Sequence, residues 1–421
     1  MKTRAMLDDL FERLQTAEAR FAAEEPRVHA FLPEPERFTR LRAEADALVD
    51  RFPNAAERPP LFGLLVGVKD MFQVEGFVTQ AGSRLPAEVL QGAQAVSVTR
   101  LKTAGALMLG KTVTTEFAYF SPGPTRNPHA LEHTPGGSSS GSAAAVAAGM
   151  SALALGTQTI GSIIRPAAFC GVFGLKPTYD RISKAGVIPL SPSLDHVGFF
   201  APDVFTALRV APVIYNEWDG AIPARTKPIL GIPEGPYLDA ASDDARACFA
   251  TNCRVLSDAG YELRHIPAMP DSAEIRARHD LIMSAEAARV HAGWFAKYAE
   301  LYAPKTAQLI RRGQAISDAQ LAQASAQRDA WRDEISALME SNSIDLWIAP
   351  STIGPAPRGL ESTGDPIMNL PWTQAGFPAV NLPAGKSQGG LPLGLQVIGG
   401  WSRDEALLHW AIDLERVVRL P

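Results

Sequence analysis

The sequence predicts an α/β protein, and two alternating patterns lead to that prediction. Short apolar runs bounded by glycine, such as residues 64–69 and 106–109, are typical of buried strands. Helix-like segments such as residues 93–104 separate them, and strands that alternate with helices favour an α/β architecture. The hydrophobic fraction of 46% and the charged fraction of 20% indicate a large buried core rather than a disordered chain.

The elements can be assigned in order from periodicity and from the residues that end them. Two helices are predicted at 7–23 and 35–51, and Glu24-Glu25-Pro26 separates them. A glycine closes the helix at 93–104, another closes the helix at 140–148, and prolines make residues 350–382 rich in loops. The other predicted elements are strands at 64–69, 106–109, 152–155, 344–349 and 394–399, a short helix from 162, amphipathic helices over 239–341, and a helix at 403–417.

Neither an internal repeat nor a long linker divides the chain, so one domain over residues 1–421 is expected. Its parts are N-terminal helices at 1–52, a core at 60–215, a helical insertion at 239–341 and a return to the core at 344–421. The insertion carries Trp294, Phe295, Tyr298 and Trp331, and we expect it to contribute to substrate specificity.

Composition and charge disfavour several classes of protein. The net charge is −5 and no Lys/Arg-rich run occurs, so nucleic acid is not expected as a partner. The three cysteines form no C-x-x-C pair, the first residues lack an apolar signal-peptide core, and the longest weakly polar run, 143–155, is short for a membrane span. We therefore expect a soluble cytoplasmic protein. The scattered histidines suggest no metal site, and no cofactor is expected.

The most informative stretch is residues 136–177, which contains two serine-bearing, glycine-rich loops. The first loop, GGSSSGS, fits the capped start of a helix and by itself indicates no chemistry. The second loop, GTQTIGS, also ends in Gly-Ser before a predicted helix. Backbone N–H groups at such a turn bind oxyanions, so the two loops together favour a catalytic site.

Two mechanisms fit these serines. The pattern G-x-S-x-G would make Ser139 a nucleophile, but a loop-like LEHTP replaces the strand that this motif requires, and His265 and His409 stand in no recognisable catalytic context. The second mechanism uses Lys69 as a base, which requires desolvation because a lysine is normally protonated at neutral pH. The alternative for Lys69 is a solvent-reaching strand end or an ion pair with Asp70.

Several segments resemble the amidase signature family, densely over residues 60–200 and more thinly over 344–417. The matching pieces are PLFGLLVGVKD, RLKTAGALMLGKTVTTEFA, GPTRNP, PGGSSSGSAAAVAAG, GTQTIGSIIRPAAFCGVFGLKPT, SLDHVG and GLPLGLQVIG. The chain is most similar to malonamidase-like members, with urethane- and aryl-amide-hydrolysing enzymes as further relatives. The resemblance implies the amidase signature fold, a central mixed β-sheet with helices on both faces and a helical insertion.

The resemblance also implies a Ser-cisSer-Lys relay. The family's lysine falls on Lys69, its bridging serine with a cis peptide bond on Ser138, and its nucleophile on Ser162. In that scheme neutral Lys69 deprotonates Ser138, which deprotonates Ser162 for attack on the acyl carbon. The oxyanion hole would be formed by the backbone N–H groups of Thr159, Ile160, Gly161 and Ser162.

The chain departs from the family pattern in the second loop. Ile160 replaces a glycine, so either the loop keeps φ < 0 there or the side chain reshapes the acyl pocket, and we expect it to narrow the pocket. Arg165 stands where malonamidase-like enzymes have it and would bind a substrate carboxylate, unless it pairs with a structural acid. The other residues implied in substrate binding are Thr134, Gly136, Gly137 and Gln158.

Further residues near these motifs have no assigned role. Asp195-His196 is interpreted as a structural turn. The aromatic and methionine side chains would shape the pocket or belong to the core, and the late loop would approach the substrate. These residues are Met71, Phe72, Tyr119, Met368, Asn369, Pro371 and Trp372.

The function implied is hydrolysis of C–N bonds in small amides, with malonamate-like acidic amides as one substrate class. Three alternatives remain open: a carbamate or aryl-amide hydrolase (a urethanase-type activity), a glutaminase subunit of a tRNA-dependent amidotransferase, and an inactive binding module. The expected partner is a small-molecule amide or carbamate, and family members are often dimers, so a homodimer is expected.

Overall fold

One mixed sheet organises the molecule. A computed structural model describes residues 2–220 and 227–419. Within them, ten strands follow one another in the spatial order β2-β1-β3-β5-β4-β9-β10-β8-β6-β7. The strands are β1 (Leu65–Lys69), β2 (Leu107–Thr112), β3 (Leu153–Gln158), β4 (Phe173–Lys176), β5 (His196–Ala201), β6 (Leu230–Glu234), β7 (Leu263–Pro267), β8 (Leu346–Pro350), β9 (Ala379–Lys386) and β10 (Pro392–Gly399).

The direction of pairing decides where side chains meet. Strands β2, β1 and β3 are parallel, β3, β5, β4, β9, β10 and β8 pair in antiparallel fashion, and β8, β6 and β7 are again parallel. Parallel neighbours end at the same edge of a sheet, so the carboxyl ends of β1 and β3 lie side by side. This edge places Lys69 next to the loop that follows β3.

Helices flank the sheet, and most of their described apolar side chains are buried. Their bounds are α1 (Lys2–Val28), α2 (Arg37–Arg51), α3 (Val96–Thr103), α4 (Ser140–Ala147), α5 (Ile164–Cys170), α6 (Val204–Ile214), α7 (Pro236–Asp239), α8 (Asp243–Asp258), α9 (Ser272–Val290), α10 (Ala292–Tyr298), α11 (Pro304–Gln314), α12 (Asp318–Ser341), α13 (Leu370–Ala375) and α14 (Asp404–Val418). The predicted fold class, an α/β mixed sheet flanked by helices, is therefore confirmed.

Several predicted boundaries were wrong. Helix α1 continues through Pro26 to Val28, and the Glu25 carboxylate then accepts the N–H groups of Ala30 and Phe31. Strand β2 continues through Gly110, where the pairing with β1 shifts register at Val66/Gly67. Strands β4, β5, β6, β7 and β9 and helix α13 were not predicted; β7 interrupts the region predicted as helical, and α13 and the start of β9 occupy the predicted loop.

Within the described ranges, no helix is both long enough and apolar enough to cross a membrane. The same residues contain no group of three or more His, Cys, Asp or Glu side chains that could hold a metal ion.

Gly313 and Gly293 give a matched test of packing in the helical region. A Cβ at Gly313 would overlap with the carbonyl oxygen of Ser284 on α9, whereas a Cβ at Gly293 would meet nothing within 4 Å. We expect Gly313→Ala to lower the free energy of unfolding by about 1–3 kcal/mol through overpacking. Gly293→Ala should raise it by about 0.5–1 kcal/mol, because alanine loses less backbone entropy in a helix.

Urea denaturation of both variants measures these changes. An unchanged midpoint for Gly313→Ala would contradict the close packing of α11 on α9.

Candidate active site

Lys69 ends β1, and the parallel register places it beside the end of β3. Val68 lies opposite Leu155, so the next residues of both strands share the sheet edge. Lys69 Nζ lies 2.6 Å from Thr157 Oγ1 and 2.7 Å from Ser138 Oγ, with the Thr157 carbonyl oxygen 3.5 Å away. The amine thus has two hydroxyl partners. Thr157 was not identified from the sequence, although its position next to the end of β3 is a usable signal.

Burial favours the neutral amine form of Lys69. The side chain is fully buried, and desolvation lowers its pKa well below the usual value, while the carboxylate of Asp195 partly opposes this effect. Its neighbour Asp70 forms an ion pair at 2.8 Å with Lys111 instead. The alternative roles of Lys69, a strand end that reaches solvent or a partner of Asp70, therefore disagree with the structure.

The serines of the first loop divide into one that faces Lys69 and three that hold backbone. The peptide bond between Gly137 and Ser138 is cis. Ser139 donates to the Thr157 carbonyl at 3.1 Å, Ser140 to Gly136 at 2.8 Å and Ser142 to Leu155 at 2.8 Å. Ser139 is fully buried, so the nucleophile-elbow mechanism disagrees with the structure.

Ser162 follows the second loop and shares a cavity with Ser138. Its side chain is 6% exposed, and its hydroxyl has no hydrogen-bond partner among the residues that the structure describes. The described residues also provide no acceptor for the backbone N–H groups of Thr159, Ile160, Gly161 and Ser162. Four free donors beside a free hydroxyl can stabilise the oxyanion of a tetrahedral intermediate.

The sequence profile of the amidase family matches residues 12–408. The chain belongs to the amidase family. A crystal structure of an amidase is 31% identical, covers 97% of this chain and 95% of its own, and superposes with a TM-score of 0.87. The peptide amidase of Stenotrophomonas maltophilia is 26% identical over 96% and 93% of the two chains, with a TM-score of 0.80. The chain is thus a serine amidohydrolase that acts on carbon–nitrogen bonds.

Other relatives point to assemblies. The glutamyl-tRNA(Gln) amidotransferase of Synechococcus sp. strain WH7803 has a subunit that is 32% identical, over 94% of this chain and 92% of that protein. The corresponding protein of Roseiflexus castenholzii is 33% identical, over 94% and 90%. A structure described as a vestigial protein complex behind the origin of an s-triazine catabolic enzyme is 30% identical over 97% and 94%, with a TM-score of 0.85. The predicted malonamidase-like subfamily stays a prediction.

Gln158 and Thr373 shape the loop that follows β3 in this amidase. The amide oxygen of Gln158 accepts the N–H groups of Ile163 and Ile164 at 2.7 and 3.0 Å, at the start of α5. Its amide nitrogen donates to Thr373 Oγ1, and Thr373 donates to the carbonyl oxygen of Ile160 at 2.6 Å. The carbonyl of Ile160 and the N–H of Gly161 belong to the same peptide group. Because Thr373 holds the carbonyl on one side, the N–H on the opposite side remains free. Thr373 was missed from the sequence because it lies on the unpredicted α13.

Ile160 is accommodated without a left-handed backbone. Its φ is negative, and its side chain lines the cavity that contains Ser138 and Ser162. The neighbouring Gly161 cannot carry a side chain in this arrangement, because a Cβ there would overlap with Asn369 Oδ1. The first of the two expected possibilities for Ile160 therefore holds, and the bulk of the side chain still borders the reacting atoms.

Arg165 lines the same cavity but is largely engaged by the protein. It is 2% exposed, and its Nη1 donates to the Gly364 carbonyl at 2.8 Å. Its Nη2 donates to the Gly137 carbonyl at 2.7 Å and to Thr363 Oγ1 at 3.1 Å, while Nε–H is buried without a partner. Burial lowers the pKa of Arg165 to about 10. No carboxylate of the described residues lies within ion-pair distance, and the nearest recorded influence of an acid is the more distant charge of Asp365.

The remaining predicted binding residues brace the first loop. Thr134 Oγ1 accepts the N–H of Gly136 at 3.1 Å. Gly136 has φ +83°, and a Cβ there would crowd Pro166, while a Cβ at Gly137 would crowd Thr363. These residues set the course of the backbone that carries Ser138. Their contact with a substrate stays a prediction.

Some of the residues without assigned roles line a cavity, and the others belong to the buried core. Tyr119 lines the cavity with Phe120, whereas Met71 lines a second cavity and Phe72 is fully buried. Asn369 touches the loop at Gly161, and Pro366 lines the cavity. Met368, Pro371 and Trp372 belong to the buried core or its hydrogen bonds.

Asp195 has a larger role than a turn. Its Oδ1 accepts the hydroxyl of Thr159 at 2.6 Å, and its Oδ2 accepts the N–H groups of Leu190 and Ser191 at 2.8 and 2.9 Å. Burial raises the pKa of this carboxyl to about 6, against these hydrogen bonds and the charge of Lys184. Asp195 therefore anchors the oxyanion loop and provides the negative charge that acts on Lys69.

Replacing the lysine tests the relay. Lys69→Met keeps the volume and removes the base, so kcat/KM should fall by about 10²–10⁴, the usual contribution of general acid–base catalysis. The double variant Lys111→Met/Asp70→Asn removes an equally buried lysine with its charge partner, and should retain activity per folded molecule. Equal losses in the two variants would contradict a specific role for Lys69.

Asp195 can be tested through the pH profile. With Lys69 as the base, its neutral amine is the active form, and we expect kcat/KM to rise with pH through the pKa of Lys69. Asp195→Asn removes a charge that raises this pKa, so the acid limb should move to lower pH. Thr159→Val removes the hydrogen bond but keeps the charge, and should lower kcat while leaving the limb in place. A limb that stays unchanged in Asp195→Asn would refute the electrostatic role.

Proposed function

We propose that this amidase hydrolyses small amides with Ser162 as the nucleophile and Ser138 and Lys69 as its proton relay. The observation that carries the proposal is the buried Nζ of Lys69 at 2.7 Å from Ser138 Oγ, beside the cavity that Ser138 shares with Ser162. A neutral amine can donate its two N–H bonds to Thr157 and accept a proton from Ser138 through its lone pair.

The reaction then needs no further base. As the Ser138 proton moves to Lys69, Ser138 takes the proton of Ser162, and Ser162 Oγ bonds to the carbonyl carbon. The oxyanion receives the free N–H groups that follow β3. When the C–N bond breaks, the relay returns the proton to the leaving nitrogen. Water attacks the acyl-enzyme by the same path and releases the acid.

Acidic amides are a substrate class that Arg165 supports. A buried guanidinium without an ion-pair partner is costly, and a substrate carboxylate would offset that cost. Three of its five N–H groups are already donated to the protein, so a carboxylate would bind through the remaining ones rather than through a full bidentate pair. Carbamates share the acyl-enzyme chemistry and are compatible with the same relay.

A glutaminase role in a larger complex is the second candidate, and the similarity to the glutamyl-tRNA(Gln) amidotransferase subunits favours it. The identities of 32% and 33% extend over most of both chains. In that role the enzyme would release ammonia from glutamine for a partner protein. The relay would be the same, so the two candidates differ in substrate and in dependence on a partner.

A substrate panel separates these candidates. We expect release of ammonia or amine from at least one of malonamate, a neutral aliphatic amide, an anilide and an aryl carbamate, and Ser162→Ala should lower kcat by at least about 10³. Glutamine is tested alongside, with the purified chain alone and with extract of the source cells.

The pattern of turnover distinguishes a free-standing amidase from a glutaminase that works in a complex. Glutaminase activity that appears only with extract would support the role in a complex, whereas turnover of panel amides by the purified chain would support a free-standing amidase. Activity that persists in Ser162→Ala would refute the proposed nucleophile.

A further inference from the structure

Two cavities adjoin the catalytic residues, and they differ greatly in size. The cavity lined by Ser138, Ser162 and Ile160 has a volume of about 10 Å³. That is room for about one water molecule. The second cavity, lined by Met71, Ile188 and Val197 among others, has a volume of about 170 Å³. Among the described residues, the larger cavity therefore has room for a bulky substrate group, which the smaller cavity lacks.

The two cavities are neighbours. Ala118 and Leu190 line both of them. Thr157, the hydroxyl partner of Lys69, is also part of the wall of the larger cavity. The larger cavity thus lies on the lysine side of the relay, and the smaller one contains the nucleophile.

We infer that the larger cavity receives the amine leaving group of the substrate, and that this group is an aromatic ring or a branched aliphatic chain of similar size. The inference rests on the proposed function. During cleavage the relay passes a proton through Ser138 to the leaving nitrogen, so that nitrogen lies on the side of Ser138 and Lys69. The group attached to it then points toward Thr157 and the larger cavity.

The size and the lining of the cavity agree with such a group. Its walls are mostly aliphatic, with Met71, Val187, Ile188, Leu190 and Val197 among them. An apolar protein cavity of about 150 Å³ is known to bind benzene, so a volume of about 170 Å³ accommodates a six-membered ring. Ammonia, the leaving group of a primary amide, would leave this apolar space empty.

The imidazole in the wall is uncharged. His196 lines the cavity, and its Nδ1 lies 2.7 Å from the carbonyl oxygen of Leu194, so Nδ1 carries the proton. Burial lowers the pKa of His196 well below its usual value, and the ring is neutral. The ring therefore adds no charge to the wall of this cavity.

Two substrates with the same acyl group test the inference. The ratio of kcat/KM for acetanilide to kcat/KM for acetamide reports on the leaving group alone. We expect the wild type to favour acetanilide and Ile188→Phe, which fills the cavity, to lower the ratio at least tenfold. Ile353→Phe makes the same change at a partly buried site outside both cavities and should leave the ratio unaltered. An unchanged ratio in Ile188→Phe, or a wild type that cleaves acetamide and not acetanilide, would overturn the inference while the relay stands.

Binding of the product gives a readout that is independent of turnover. Aniline should bind to the Ser162→Ala protein in calorimetric titration, and Ile188→Phe in that background should weaken its Kd at least tenfold. Equal aniline affinity of the Ser162→Ala protein and of the Ser162→Ala/Ile188→Phe protein would overturn the inference. Turnover that survives Ser162→Ala would instead refute the proposed function.

Discussion

The desolvation of Lys69 is the constraint on which the site depends. An ammonium in this place would lack a carboxylate partner within hydrogen-bond distance, whereas a neutral amine satisfies its hydrogen atoms with Thr157 and offers its lone pair to Ser138. Burial in the sheet favours the neutral form, and the more distant charge of Asp195 moderates this effect. The chemistry of the serines follows from the protonation state of this one side chain.

The two loops that carry the serines are held by each other and by the C-terminal part of the chain. Arg165, at the start of α5, donates to the Gly137 carbonyl in the first loop, and Gln158 caps the same helix. Thr373, from the region after β8, holds the second loop through the Ile160 carbonyl, and Asn369 packs against Gly161. Reacting groups from distant parts of the sequence are thereby positioned by neutral and charge-assisted hydrogen bonds in a water-poor interior.

The proposed catalytic residues and the walls of the two cavities come largely from different parts of the structure. The relay and the oxyanion loop lie at the carboxyl edge of β1 and β3, while the cavity walls come from residues 118–120 and 187–197, with Met283 contributed by α9. Thr157 and Asp195 belong to both parts, whereas aliphatic wall residues such as Ile188 and Val197 form no hydrogen bond with Lys69 and can differ between proteins that share the fold. In the proposed function, the volume and polarity of these walls select the substrate.

The sequence alone was sufficient for the α/β class and for the strands β1, β3, β8 and β10, because local periodicity carries that information, and its contiguous motifs pointed to Lys69, Ser138 and Ser162 as the proposed relay. It was insufficient for β4, β5 and α13; β4 has only 4 residues and α13 only 6, too few to show a period, and the prolines around α13 favoured a loop. The roles of Thr157, Asp195 and Thr373 also needed the tertiary structure, since each depends on a partner that is distant in the chain or lies across the sheet. Arg165 shows the difference most clearly: its residue type suggested a carboxylate, and only the fold could show that the Gly137, Thr363 and Gly364 oxygens already occupy most of its donors.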